Sequence, residues 1–367
     1  MNQKPNEVPY EEVSPMLCYP YWDLKPAEQK EVWKDDGSWV AQEKLNGCRV
    51  ILHFVKGVGV FAHSRRVSKQ TGRRQVLTDR LLFSDLIPTF SATVDAEAMV
   101  DKSVDTRPYT SGGQITKSTL QSTSAILRLE SEASKSLQRD QNAALIFHIF
   151  DIVSWEGTDL KTKPFCERFV CLDNFKAAIT QAQLTKYFVF PEVRIHEKKA
   201  FFDEVISKGG EGVILKNLNS LYEASTARNR KGWIKVKREV EFTAYVSGHE
   251  RGKFNGEWKN KVGCLVFSIL TEKGPHEIAK VTNFTYDFRK EMSVYDPATN
   301  KVELSPLILG SVATVTGVEV SQRAKRLSHP KVTKWRDDLK REDCFYPTMT
   351  IEGGGWEQGD DKDSGEV

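Results

Sequence analysis

Lys44-Leu45-Asn46-Gly47-Cys48-Arg49, Asp95-Ala96-Glu97, Phe147-His148-Ile149-Phe150-Asp151, Glu211-Gly212-Val213-Ile214-Leu215-Lys216 and Lys235-Val236-Lys237 place lysines and carboxylates in a fixed order along a 367-residue chain. A lysine amine can attack phosphorus and carry a nucleotide covalently, provided that it first sheds its proton. With an ordinary pKa of about 10.4 it needs neighbours that disfavour its charge. If residues 234–237 form a strand, its period of two sets Lys235 and Lys237 on one face, where they can neutralise a phosphate. Ile234 and Val236 then anchor the other face. Taken alone, the same run reads equally well as an exposed basic edge. Parity also puts Asp95 and Glu97 together, with Ala96 opposite, as oxygen ligands of the kind that magnesium takes beside substrate phosphates. Each fragment alone is a common pattern, and the ordered set is the signal.

Strands must hold these groups. Between residues 39 and 66, Val50-Ile51-Leu52 and Val58-Gly59-Val60-Phe61 are apolar runs broken by glycines, which predicts strands. Residues 144–152 predict a buried strand. Ser122-Thr123-Ser124 predicts the cap of a helix that runs on through Ala125 and Glu130. Glu167, Arg168, Phe169 and Val170 belong to an amphipathic helix, which makes Cys166 and Cys171 members of that helix rather than a metal pair. After Arg238 a new set of short strands, at residues 242–248, 263–270 and 311–318, fits a small Greek-key barrel of the OB type. The expected division is 1–238, 239–351, and a glycine-rich acidic tail over 352–367 that is expected to be disordered.

Order, spacing and flanking apolar strands together resemble the covalent nucleotidyltransferase superfamily of DNA ligases, RNA ligases and mRNA capping enzymes, above all the small ATP-dependent DNA ligases of viral and phage type. The resemblance runs from about residue 40 to about residue 340. It implies an α+β chain: an adenylyltransferase (ATP-grasp-like nucleotidyltransferase) domain of antiparallel sheets with flanking helices, followed by an OB-fold β-barrel. It implies ATP and Mg2+ as cofactors and nicked double-stranded DNA as partner, with the protein acting as a monomer through a lysyl-AMP intermediate. Lys44 would be the nucleophile, Asn46 would stand beside it, and Lys235 and Lys237 would contact phosphate.

By the same resemblance Gln42 would read the adenine, Phe150 would lie against its face, and Arg49 would approach the ribose and phosphates. Glu97 would contact the ribose or metal, Glu211 and Asp95 would be metal ligands, and Lys216 would belong to the nucleotide site. Within Ser64-Arg65-Arg66 either arginine matches the phosphate-binding position, and Arg65 is taken. Trp335-Arg336-Asp337-Asp338 resembles the closing motif, with Arg336 near pyrophosphate. Three departures stand out: Asn46 replaces the usual aspartate, Ala96 the usual glycine, and Leu339 the usual lysine, with Lys340 one step late. An RNA ligase, a capping guanylyltransferase and a nucleic-acid-binding protein without catalysis are the other readings.

The chain carries 53 basic and 50 acidic residues. Residues 353–367 hold five carboxylates and one lysine, which leaves about +7 on the rest and suits a polyanionic partner. The six cysteines form no Cys-x-x-Cys pair and read as idle thiols of a reducing compartment. The N-terminus lacks a signal-peptide pattern and no apolar run reaches the length of a membrane span, so the protein is expected in the cytoplasm.

Overall fold

The structure, a computed structural model, describes residues 9–67, 72–223, 231–252, 258–320 and 325–347. The expected acidic tail lies outside the described residues. The chain divides into two compact units, Met1–Val236 and Lys237–Val367.

Two sheets make the first unit. One has the order Tyr19–Pro20, Trp233–Lys237, Gly212–Asn217, Trp39–Glu43, Val193–Arg194. The other runs Arg74–Val76, Gly59–Val67, Cys48–Val55, Ala92–Met99, Ile146–Trp155, Thr158–Asp159. Period-two alternation decides what each face does. Ala41, Val213, Leu215, Ile234 and Val236 form the outer face of the first sheet, covered by Phe201 and Val205 of helix Lys198–Ser207 and by Leu24 and Val32. Val50, Leu52, Val94, Ala96, Phe147 and Ile149 form the outer face of the second. Helices Thr119–Arg128, Ser131–Asp140 and Phe165–Gln181 press Ile126, Leu137 and Phe175 onto it. The residues in between face inward. Met16, Ile51, Val153, Tyr222 and Trp233 meet there, with Cys18, Phe150 and Ile214 packed alongside. Both sheets therefore turn their polar, alternate residues toward one shared cleft.

The strands expected from the apolar runs are present, the third as Ile146–Trp155. The helix cap is not where it was expected. Helix Thr119–Arg128 starts one turn earlier, on Ser118, whose hydroxyl accepts from Gln121 N–H at 3.3 Å. Ser122 and Thr123 lie inside it, and their hydroxyls donate back to the carbonyls of Ser118 and Thr119. Thr123 Oγ1 also accepts from Val100 N–H at 3.1 Å, so these side chains tie the helix to the sheet.

In the second unit five antiparallel strands have the order Gly274–Val281, Val262–Thr271, Val240–Arg251, Val312–Gly317, Lys331–Trp335. In chain order this is 3-2-1-4-5, with helix Tyr286–Met292 between the third and fourth strands. His276 on the third strand reaches Lys325 O at 3.0 Å, just ahead of the fifth, which brings the two ends of the sheet toward closure. Register shifts at Val246/Gly248 and Phe267/Ser268 supply the coiling that a small barrel needs. Phe242, Leu265, Phe267, Ile278, Val281 and Val315 fill its interior. The fold class is α+β with an OB-type second unit, as expected. Among the described residues no helix is long and apolar enough to cross a membrane.

Candidate active site

Lys44 leaves the end of strand Trp39–Glu43, and its backbone N–H donates to Gly212 O at 2.8 Å. That bond fixes the lysine beside Glu211, whose carboxylate accepts from the Lys44 ammonium. Both side chains remain about one-fifth exposed, at the mouth of the cleft. Gly47 then turns the chain into strand Cys48–Val55. A Cβ there would lie 2.3 Å from Ala98 O and 2.6 Å from Met99 Cγ, so only glycine lets the turn close on its neighbour. The Gly47 N–H donates to Glu97 at 3.1 Å. Asn46, between them, is exposed. Gln42, two residues before Lys44 on the same face, is buried, and among the described residues its Oε1 has no hydrogen-bond partner.

Glu97 and Asp95 share a face of strand Ala92–Met99, as their spacing predicts, yet their surroundings differ. Burial pushes the Glu97 carboxyl up to about 7, against the downward pull of Arg49, Lys44 and the Gly47 N–H. Asp95 is wholly buried. It accepts from Arg49 Nε at 2.8 Å and again from Arg49 Nη2, and it takes the Tyr222 hydroxyl at 2.5 Å. The resemblance assigns Asp95 to a metal, and here its oxygens are engaged by Arg49 and Tyr222. Arg49 also donates to Met16 O at 2.6 Å and lies 5.3 Å from the Phe150 ring centroid and 5.6 Å from that of Trp233.

Lys216 departs from expectation in the same way. Period two aims it into the cleft, but it sits 1% exposed behind Phe150 and donates to Phe150 O at 2.6 Å. The rings of Trp233, Phe165 and Phe150 surround its ammonium at 4.3, 4.6 and 5.0 Å. Burial lowers its pKa to about 8 although Asp151 and Asp95 favour the charge. The resemblance counts Lys216 in the nucleotide site, and here its ammonium lies behind Phe150. A lysine so enclosed holds the half-buried Phe150 in place.

Strand Trp233–Lys237 alternates as predicted: Ile234 and Val236 are buried in the outer core, and Lys235 and Lys237 are only partly buried on the other side. Cys18 marks the convergence of the cations. Burial raises its thiol pKa, while Arg49, Lys216, Lys44 and Lys235 all act to lower it. Arg65 is exposed on strand Gly59–Val67, one strand beyond Arg49 in the sheet. The side chain of Arg66 lies outside the described residues. In the second unit, Arg336 follows strand Lys331–Trp335 and pairs with Asp338 at 2.9 and 2.7 Å. No group of three or more His, Cys, Asp or Glu side chains forms a metal cage among the described residues. One or two carboxylates, completed by phosphate and water, is the donor set that suits magnesium.

The sequence matches the family described as the ATP dependent DNA ligase domain over residues 15–237, a segment that contains every cleft residue named above. The chain belongs to the ATP-dependent DNA ligase domain family. It is 28% identical over 271 residues to DNA ligase 1 of Methanosarcina barkeri, a match that covers 70% of this chain and 46% of that protein. Against the DNA ligase of Sulfolobus acidocaldarius it is 23% identical over 240 residues, covering 56% and 39%. The chain therefore spans about half or less of the length of these relatives. Among solved structures, one titled Pmar-Lig_PreS3 aligns over 88% of this chain and 68% of its own, with a TM-score of 0.51 and 16% identity, a likeness of fold.

In this ligase-family cleft the sequence does not single out Cys18, Tyr222 or the pairing of Arg168 with Asp151. Cys18 carried a weak signal, since the preceding Pro15-Met16-Leu17 resembles the approach to the first ligase strand. Tyr222 and the wholly buried pair of Arg168 with Asp151, at 2.9 and 2.8 Å, carried none, because a partner 127 or 17 residues away has no local pattern.

Proposed function

We propose that the chain is an ATP-dependent DNA ligase that seals nicks in duplex DNA through adenylate carried on Lys44. The observation that carries this reading is the pairing of Lys44 with Glu211 at the mouth of a cleft whose walls present Gln42, Arg49, Glu97 and Phe150. The cleft fits adenine on one count in particular. A buried amide oxygen without a donor is costly, and an exocyclic amine satisfies it. Phe150, stiffened from behind by Lys216, offers a flat apolar surface to the same base.

Three displacements make up the reaction. In the first, the neutral Lys44 amine attacks the α-phosphorus of ATP. A nitrogen–phosphorus bond forms, the bond to pyrophosphate breaks, and the amine proton departs. Glu211, which accepts a hydrogen bond from Lys44, orients the amine and is the carboxylate at hand for that proton. In the second, a 5'-phosphate oxygen at the nick displaces Lys44 from phosphorus. In the third, the 3'-hydroxyl attacks the nick phosphorus and expels AMP. Arg49 and Lys235 face phosphate charge in each, and Lys237 extends that basic face. Magnesium, with Glu211 and Glu97 as the residues to hold it beside phosphate, supplies charge neutralisation when bound.

Incubation with α-labelled ATP and Mg2+ should yield an acid-labile, alkali-stable protein adduct, which passes to nicked DNA when the duplex is added. Label from GTP in preference to ATP would favour a capping guanylyltransferase, and sealing of nicked RNA in preference to DNA an RNA ligase. A protein that takes no label contradicts the proposal.

A further inference from the structure

We propose that Tyr222 is a positioning residue of the nucleotide site, acting through Asp95 on Arg49; this rests on the ligase reading of the same cleft. Arg49 is the guanidinium that the cleft offers to the nucleotide, and it is steered by contacts on several sides. Asp95 takes two of its N–H groups, Met16 O a third, and the rings of Phe150 and Trp233 flank its plane. Of these, Asp95 alone is charged, so it sets the direction of the fork. Asp95 is itself a buried carboxylate with acceptor capacity beyond what Arg49 uses, and the Tyr222 hydroxyl takes it at 2.5 Å.

Tyr222 is well placed to be rigid. It is 2% exposed, its N–H donates to Lys161 O at 3.0 Å, the Arg168 guanidinium lies 5.7 Å from its ring centroid, and Trp233 meets the ring edge-on at 5.9 Å. Arg168 is in turn locked by Asp151, Lys163 O and Ser220 O. A fixed donor therefore stands behind Asp95 and stops the carboxylate from rotating with Arg49. Burial and the neighbouring Asp95 both raise the Tyr222 pKa, so the hydroxyl keeps its proton and remains a donor. The segment that follows Lys216 is tied in this way to the group that meets the nucleotide.

The test is the rate of covalent labelling by ATP and Mg2+, measured against ATP concentration in the full-length wild type and in Tyr222→Phe. The expected result is a half-saturating ATP concentration raised about tenfold, the scale of one lost hydrogen bond to a charged group, with the maximal rate changed by less than about twofold. In an Arg49→Lys background, where the fork is gone, Y222F should add less than about twofold. A folded Y222F with an unshifted ATP dependence overturns the positioning role while leaving the ligase reading intact. So does a fall in maximal rate alone, or an effect equally large in the Arg49→Lys background. A wild type that takes no label overturns both. Should Y222F fail to fold, Asp95→Asn keeps an acceptor oxygen but removes the carboxylate charge to which Tyr222 and Arg49 both donate, and an unchanged ATP dependence in that variant overturns the proposal.

Discussion

Burial lifts Glu97 to about 7 while Arg49, Lys44 and the Gly47 N–H pull the other way, so its charge depends on the pH of the cell. Unfolded, the same carboxyl ionises near ~4.3. Between those values the folded protein holds a proton that the unfolded chain has released, and stability falls as pH rises through that window. Urea denaturation of the ligand-free protein should show Glu97→Gln gaining on the wild type from pH 4 to pH 8, by on the order of 3 kcal/mol. A gap that does not change with pH would place the carboxyl in water. Asn46 invites a different measurement. It is exposed beside Lys44, and it lacks the charge of the aspartate usual in the family. An uncharged amide there gives little to a cation or an incoming hydroxyl. Asn46→Asp should seal pre-adenylylated nicks faster with adenylylation unchanged, and no change in either step would reject that role.

Strand parity made most of the cleft legible. It placed Asp95 with Glu97 and Lys235 with Lys237 correctly, because alternation is a local property of extended backbone. What parity cannot say is which inward residue stays open to ligand. Lys216 and Asp95 both face inward, and both are consumed by neighbours from distant parts of the chain, Phe150 and Tyr222. The helix cap went astray for a related reason: Ser118 and Ser122 are equally good cap residues in isolation, and tertiary bonds from Thr116 and Val100 decide between them. Gly47 is the point where an element boundary and the chemistry coincide. Gly47→Ala would force its Cβ into the Ala98 carbonyl, displacing the loop that carries Lys44 from the strand that carries Glu97. Its covalent labelling by ATP should fall at least about tenfold and its stability by roughly 1–3 kcal/mol. A variant that labels at the wild-type rate would show that the loop can relax without cost.

Each unit of the whole molecule was legible as a class, the α+β first unit from its ordered fragments and the OB-type second from short strands between glycines. The proposed action on DNA rests on charge that is spread along the chain rather than patterned. With phosphate contacts dominating, raising salt from 50 to 200 mM should weaken binding to nicked duplex by roughly a hundredfold or more, with little dependence on sequence. Adenylylation in the absence of DNA should barely respond, since its charges meet at short range within the cleft. Similar salt slopes for the two steps would argue against a backbone-gripping surface. The most direct measurement is nick sealing by Lys44→Ala on two substrates, an ordinary 5'-phosphate nick with ATP and a nick already carrying 5'-adenylate. With adenylate carried on Lys44, no sealing and no covalent label are expected on the first, and joining is retained on the second. Wild-type sealing of the ordinary nick by Lys44→Ala would contradict that role.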